Sequence, residues 1–187
     1  MADSSTTFTC ASTCFRISPL IATALWSFYL TLTFPLPLLA FQQQQVVSGW
    51  LAIGGIALGA IALLGALSEQ VHLDDQGIEV RYPRWVPRGF RASWRLAWED
   101  IVEVRSRSTG QGGLVYYLLK STGQAYLLPM RVAGFAAMTR RIQAETGVDL
   151  ALSKPLAQVW MYGLLLGASV LLGLSDAWVV SMLLQGQ

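Results

Sequence analysis

Five arginines stand between residues 81 and 95 with no acidic residue among them: Arg81, Arg84, Arg88, Arg91 and Arg95. Tyr82, Trp85, Phe90 and Trp94 are interleaved with them. Guanidinium forks bind phosphates and carboxylates through paired N–H donors, and neighbouring aromatic rings stack or cover apolar surface. This chemistry suits an anionic partner: an acidic lipid headgroup, an acidic protein loop or a nucleic acid. The candidate contacts are Arg81, Arg84, Trp85, Arg88, Phe90, Arg91 and Arg95. The plain alternative is a solvated basic loop.

Other reactive residues are sparse. His72 is the only histidine of the chain, so any Ser-His-Asp or Cys-His site would depend on it. Cys10 and Cys14 lie in a Ser/Thr-rich tail and read as incidental thiols. Asp74 and Asp75 beside His72 read as a solvated turn rather than a metal site, and Glu99-Asp100 as a turn between strands. No phosphate loop, zinc-protease helix or nucleophile elbow occurs. The expectation is therefore no enzyme, with no cofactor, metal or small-molecule substrate.

The elements that must position these residues are set by a very uneven charge pattern. The chain has 187 residues, is 53% hydrophobic and only 13% charged. From Ile17 to Ser68 there is no charged residue or histidine, and from Pro155 to the end only Asp176. Residues 69–154 hold 12 basic and 9 acidic residues, a net charge of +3. A bilayer core of about 30 Å takes about 20 helical residues. The first apolar run divides at Gln42 to Gln45 into helices over 20–41 and 46–67, a hairpin that follows a flexible tail over 1–19. Pro35 should kink the first helix. The last run over 156–184 reads as a span over 156–174, then a short interfacial helix over 177–184 capped by Ser175 or Asp176. Spans drawn this way contain no ionisable residue, which argues against a membrane enzyme or transporter component. Gly55 and Gly59, and Gly163 and Gly167, are each four apart. Their expected role is close packing among the chain's own helices, with docking of another membrane protein as the alternative.

Lys and Arg set the orientation. Arg16 precedes the first helix and the other twelve basic residues lie between Arg81 and Lys154. The positive-inside rule then places the N-terminus and central domain on the cytoplasmic or stromal side, and the C-terminus opposite. The expected location is a bacterial inner membrane or a thylakoid.

The central region, 69–150, alternates apolar and polar residues over short runs. Ile78, Val80 and Tyr82 form one apolar set, Leu96 with Trp94 and Trp98 another, and Val102 with Val104 a third. Turn residues stand at Asp74 to Gly77, at Thr109 to Gly113 and at Thr122-Gly123. Val132, Phe135, Met138 and Ile142 then share one face of a helix ending at Gly147. Six strands and one helix predict an α+β chain, with a curved sheet or small barrel closed by a C-terminal helix. The order Leu73-Asp74-Asp75-Gln76-Gly77-Ile78-Glu79-Val80, then Trp98-Glu99-Asp100-Ile101-Val102-Glu103-Val104, then Leu127-Leu128-Pro129 and a helix resembles the bacterial pleckstrin-homology-like domain. That resemblance implies seven strands, with the seventh within 84–91. A narrower set is similar to the photosystem I assembly factor family of thylakoid membranes: Arg84-Trp85-Val86-Pro87-Arg88-Gly89, Glu99-Asp100-Ile101, Tyr117-Leu118-Leu119-Lys120 and Leu128-Pro129-Met130-Arg131-Val132. The present chain adds a third membrane helix to that pattern.

Together these features predict a membrane-anchored accessory or assembly factor. Its expected partners are an integral membrane protein complex and membrane lipids, with no nucleic acid. The alternatives are an anionic-lipid sensor and a subunit of a membrane enzyme or transporter.

Overall fold

The computed structural model describes residues 13–87, 89–108, 114–148 and 159–185. These fall into two compact units: residues 13–16 with 69–148, and residues 17–68 with 159–185.

The first unit is built from short strands because apolar residues alternate at period two. β1 (Thr13–Arg16), β2 (Gln70–Leu73), β3 (Gly77–Arg81) and β4 (Trp94–Ala97) form one antiparallel sheet in that order. Val71, Leu73, Ile78, Val80 and Leu96 point to its buried face. The turn between β2 and β3 is fixed by Asp74, whose Oδ1 accepts the N–H groups of Gln76 and Gly77 at 2.9 and 2.8 Å. Gly77 is required by a close approach: a Cβ there would lie 2.1 Å from the Leu96 carbonyl oxygen. β5 (Ile101–Ser108), β6 (Leu114–Lys120) and β7 (Ala125–Leu127) form a second antiparallel sheet. α4 (Phe135–Thr146) packs Phe135, Met138 and Ile142 into the core shared by both sheets, and left-handed glycines, Gly134 and Gly147, flank it. At these positive φ angles glycine carries no Cβ penalty.

Several expectations change here. Among the described residues the strands make two sheets and no closed barrel. A 3₁₀ turn over Trp98–Asp100 interrupts the backbone between β4 and β5 and separates the ladders. The tail is not flexible throughout: Thr13–Arg16 pairs antiparallel with β2, and Phe15, opposite Val71, packs on the core. This stretch adds a seventh strand to the six expected, among the described residues. It comes from ahead of the helical hairpin, while the described part of 84–91 forms turns. Val102 and Val104 do not share a face. A bulge between Ile101 and Glu103 shifts the register. Ile101 therefore faces the core and Val102 is exposed.

The second unit holds α1 (Pro19–Thr33), α2 (Pro35–Gln42), α3 (Val46–Leu67) and α5 (Val159–Gln185). Three stretches are long and apolar enough to cross a membrane by length and composition: Pro19–Gln42, Val46–Leu67 and Trp160–Met182. The first is broken at Phe34, where Pro35 brings no N–H to the preceding turn. The last carries a second correction. α5 runs through Ser175-Asp176 without a break, so the expected interfacial helix is simply its continuation. Neither residue removes a backbone donor, and propensity alone does not end a helix held by its neighbours. Asp176 thus lies inside the stretch Trp160–Met182 that is long and apolar enough to span, contrary to the expectation that the spans hold no ionisable group.

The glycines also divide. A side chain on Gly59 would strike Tyr29, so Gly59 packs inside the unit. At Gly55, Gly163 and Gly167 an added Cβ would meet nothing within 4 Å among the described residues.

Candidate functional site

The arginine segment is divided by the elements it crosses. Arg81 ends β3 and Arg95 lies on β4, so both have fixed cross-strand neighbours. Arg81 makes a two-pronged contact with Glu79, Nε to Oε1 and Nη2 to Oε2, each 2.7 Å. Arg95 Nη2 meets Asp74 Oδ2 at 2.9 Å and Gln76 Oε1 at 3.2 Å, and its Nη1 stands 3.9 Å from Glu79. The hydrogen bond from Arg81 holds the Glu79 carboxyl below the usual carboxylate range. The register places Cys14, His72, Glu79 and Arg95 in one row, one residue from each strand. Cys14 Sγ is 3.8 Å from His72 Nε2 in that row, at an exposed site. Arg81 and Arg95 therefore belong to an ion-paired sheet face.

Between these strands the chain forms two turns opened by prolines. Val86 N–H donates to the Pro83 carbonyl at 3.0 Å, and Phe90 N–H to that of Pro87 at 2.9 Å. Pro suits such openings because its φ is preset. Trp85 and Phe90 stand half-exposed on this loop. Arg84 lines a small cavity with Pro83, Val86 and Ser93. Arg88 lies outside the described residues.

Arg91 lines that cavity too, and it also lines a second cleft of about 380 Å³ that Arg84 does not reach. Trp94, Val115, Leu127 and Met130 give it apolar walls, Phe90 adds an aromatic edge, and its polar groups are Glu69, Tyr82, Arg91 and Arg131. Burial pushes the Glu69 carboxyl up, opposed by a hydrogen bond with Tyr82 and by the charges of Arg91 and Arg131. Tyr82 is pushed up to about 12 by burial and then by the Glu69 charge. It stays protonated at neutral pH, between the Glu69 carboxylate and the Arg91 guanidinium. Two guanidinium groups face one carboxylate, so the cleft keeps a surplus positive charge beside apolar walls. That arrangement can hold an anionic group attached to an apolar one.

Arg91 and Phe90 of the expected set lie here, while Glu69, Tyr82, Trp94 and Arg131 complete the site and were not singled out as site residues. Tyr82 and Trp94 stand in the arginine–aromatic segment itself, whereas Arg131 is signalled only by the pairing Met130-Arg131 after Pro129. The residues near His72 have structural uses. Asp74 caps the turn, and Asp75 pairs with Arg141 at 3.0 Å. Among the described residues, no group of three or more His, Cys, Asp or Glu converges as a metal site.

Compared with known proteins, the chain is 49% identical over 171 residues to the uncharacterized protein slr0269 of Synechocystis sp. (strain ATCC 27184 / PCC 6803 / Kazusa). The match covers 90% of this chain and 86% of that protein. No family model and no solved structure matches.

Proposed function

The chain belongs to one family with that Synechocystis protein, and we propose that it is a membrane-anchored, non-enzymatic accessory or assembly factor whose strand-rich unit binds a partner protein at the membrane. The observation that carries this is the cleft: surplus guanidinium charge, apolar walls, and exposed Phe90 and Trp85 on the same loop. Arg and aromatic residues are enriched where proteins meet, and large rings are costly to leave in water.

Six strands in a row followed by α4, with β1 added from ahead of the helical hairpin, are what this reading takes from the pleckstrin-homology-like resemblance. A cyanobacterial relative is compatible with a thylakoid location, and with the similarity of the quoted segments to the photosystem I assembly factor family it supports a role in photosynthetic complex assembly. In this proposal the N-terminus and strand-rich unit are cytoplasmic or stromal. Arg16 pairs with Gln70, so the chain between them crosses a bilayer an even number of times. α5 then carries the C-terminus to the other side. One observation favours a second reading, a subunit of a membrane enzyme or transporter: Asp176 inside α5.

The test uses the full chain, because a fragment starting at Glu69 would lack β1. Partners recovered after gentle detergent extraction are quantified by mass spectrometry for wild type and for Arg84→Gln/Arg91→Gln/Arg131→Gln. A specific membrane protein recovered with wild type should fall at least about tenfold with the variant, as expected when charge-assisted hydrogen bonds are lost. Unchanged recovery would remove the cleft from partner binding. If recovery is unchanged but thermal stability in nanodiscs loses its dependence on anionic lipid, the lipid-sensing alternative takes its place.

A further inference from the structure

The helical unit holds a groove of about 740 Å³ at the α1–α2 break, lined by residues of α1, α2, α3 and α5. Leu30, Phe34, Phe41, Ile53, Ile56 and Val180 make it apolar. Its polar residues are Thr31, Thr33 and Asp176. Both threonine hydroxyls already donate within their helix, Thr31 to Ser27 at 2.9 Å and Thr33 to Tyr29 at 2.7 Å. Pro35 and Pro37 bring no N–H, so the carbonyls four residues back, those of Thr31 and Thr33, lack their helical amide donors. Of the groove's polar side chains, the two hydroxyls are already engaged as donors and the Asp176 carboxylate is an acceptor.

The unit cannot neutralise this carboxylate from its own sequence. No Lys, Arg or His occurs from Ile17 to Ser68 or from Pro155 to Gln187. Three helices agree on its depth. Asp176 is roughly 13 Å from the helix end at Gln185, Phe34 roughly 12 Å from Gln42, and Ile53 roughly 10 Å from Val46, at 1.5 Å per residue. In a bilayer that depth lies below the interface, where a carboxylate is costly without a partner.

We propose that the groove receives a Lys or Arg side chain from a transmembrane helix of a partner protein, with Asp176 as its counter-charge. This inference rests on the reading that these helices span a membrane. A basic residue on a helix is held at fixed depth by its backbone and can reach Asp176 from the side. An amino-headgroup lipid keeps its ammonium at the surface and brings only its tail to this level, so charge and depth together favour the helix.

The experiment reconstitutes the labelled full chain in phosphatidylcholine vesicles with a fluorescent Leu-rich transmembrane peptide of about 20 residues. One form carries a single Lys at the depth of Asp176, and the control carries Leu there. Energy transfer should show the Lys peptide associating at least about tenfold more tightly, as expected for a desolvated charge pair. Asp176→Asn should reduce it to the level of the control, while Asp176→Glu should retain most of the preference. Equal association of the two peptides, or a Lys preference that survives Asp176→Asn, would overturn the proposal. So would native mass spectrometry showing an amino lipid held by wild type and lost in Asp176→Asn, with no Lys preference: the groove would then be a lipid site. Alkaline extraction is run first. Release of the chain from membranes would overturn the spanning reading and this inference together, whereas retention with no Lys preference would overturn this inference alone.

Discussion

Arg81 and Arg95 sit on strands, and Arg84 and Arg91 sit on the loop between them; the two pairs come from one short stretch and have different fates. Strand register gave the first pair neighbours at fixed spacing, and Glu79 and Asp74 occupy their guanidinium groups. The loop has no ladder to dictate a partner. Arg91 turns into a cleft where it shares one carboxylate with Arg131. Basic residues in a sheet thus become structure, while basic residues in a proline-bounded loop keep capacity for a ligand. Counting arginines along the sequence cannot separate these roles.

The comparison breaks at its root if the β3–β4 register is wrong. Gly77→Ala must push a methyl group against the Leu96 carbonyl, and overpacking of this kind costs about 1–3 kcal/mol or more. Fluorescence of the buried Trp98 during denaturation of the full chain should show that loss; a variant as stable as wild type would refute the register. The next largest effect concerns the loop side. Arg91→Gln with Arg131→Gln should weaken binding of a fluorescent acidic-aromatic peptide to the full chain in nanodiscs by at least about tenfold, since a hydrogen bond to a charged group is worth about 1.5–3 kcal/mol.

A smaller effect comes from pH. The Glu69 carboxyl is raised above its ordinary value near 4.5. In the window from that value up to its folded value the native chain holds more protons than the unfolded one, so its contribution to stability falls as pH rises. The peptide follows the same direction. Below the folded value Glu69 is neutral and leaves both arginines to the ligand, so affinity should rise a few-fold on acidification, and Glu69→Gln should flatten the profile. A rise in affinity with pH would contradict the arrangement. The smallest effect belongs to the strand pair. Arg81→Gln with Arg95→Gln should change peptide affinity less than about twofold, because exposed ion pairs contribute little and these groups do not face the cleft. A loss matching that of the loop pair would erase the distinction.

What the sequence shows follows the range of its signals. The bounds of α3 are legible because four glutamines and then Glu69 bracket one apolar run. The turn at Asp74 to Gly77 is legible because its chemistry is local. Ser175-Asp176 misleads, since residues that cap a helix also occur inside one and only packing by neighbouring helices decides. β1 is too short to show alternation, and its one strong residue, Phe15, finds its partner far along the chain. The cleft is half legible for the same reason. Arg91 and Tyr82 belong to a visible cluster, but Glu69 and Arg131 come from separate stretches and meet them only once the sheets have formed.

The pairing of β1 with β2 also orders events during synthesis. Cys14 and His72 face each other across 58 positions of sequence, with the whole helical hairpin made in between. At 5–20 residues per second the first strand waits roughly 3–12 s for its partner. If the hairpin enters a membrane with one helix stranded, Arg16 and Gln70 emerge on opposite sides and the strand never finds its neighbour. β2 would then keep an open edge, the kind of surface that invites aggregation and proteolysis. If the hairpin spans a membrane as proposed, this sheet can be completed only when Arg16 and Gln70 emerge on the same side.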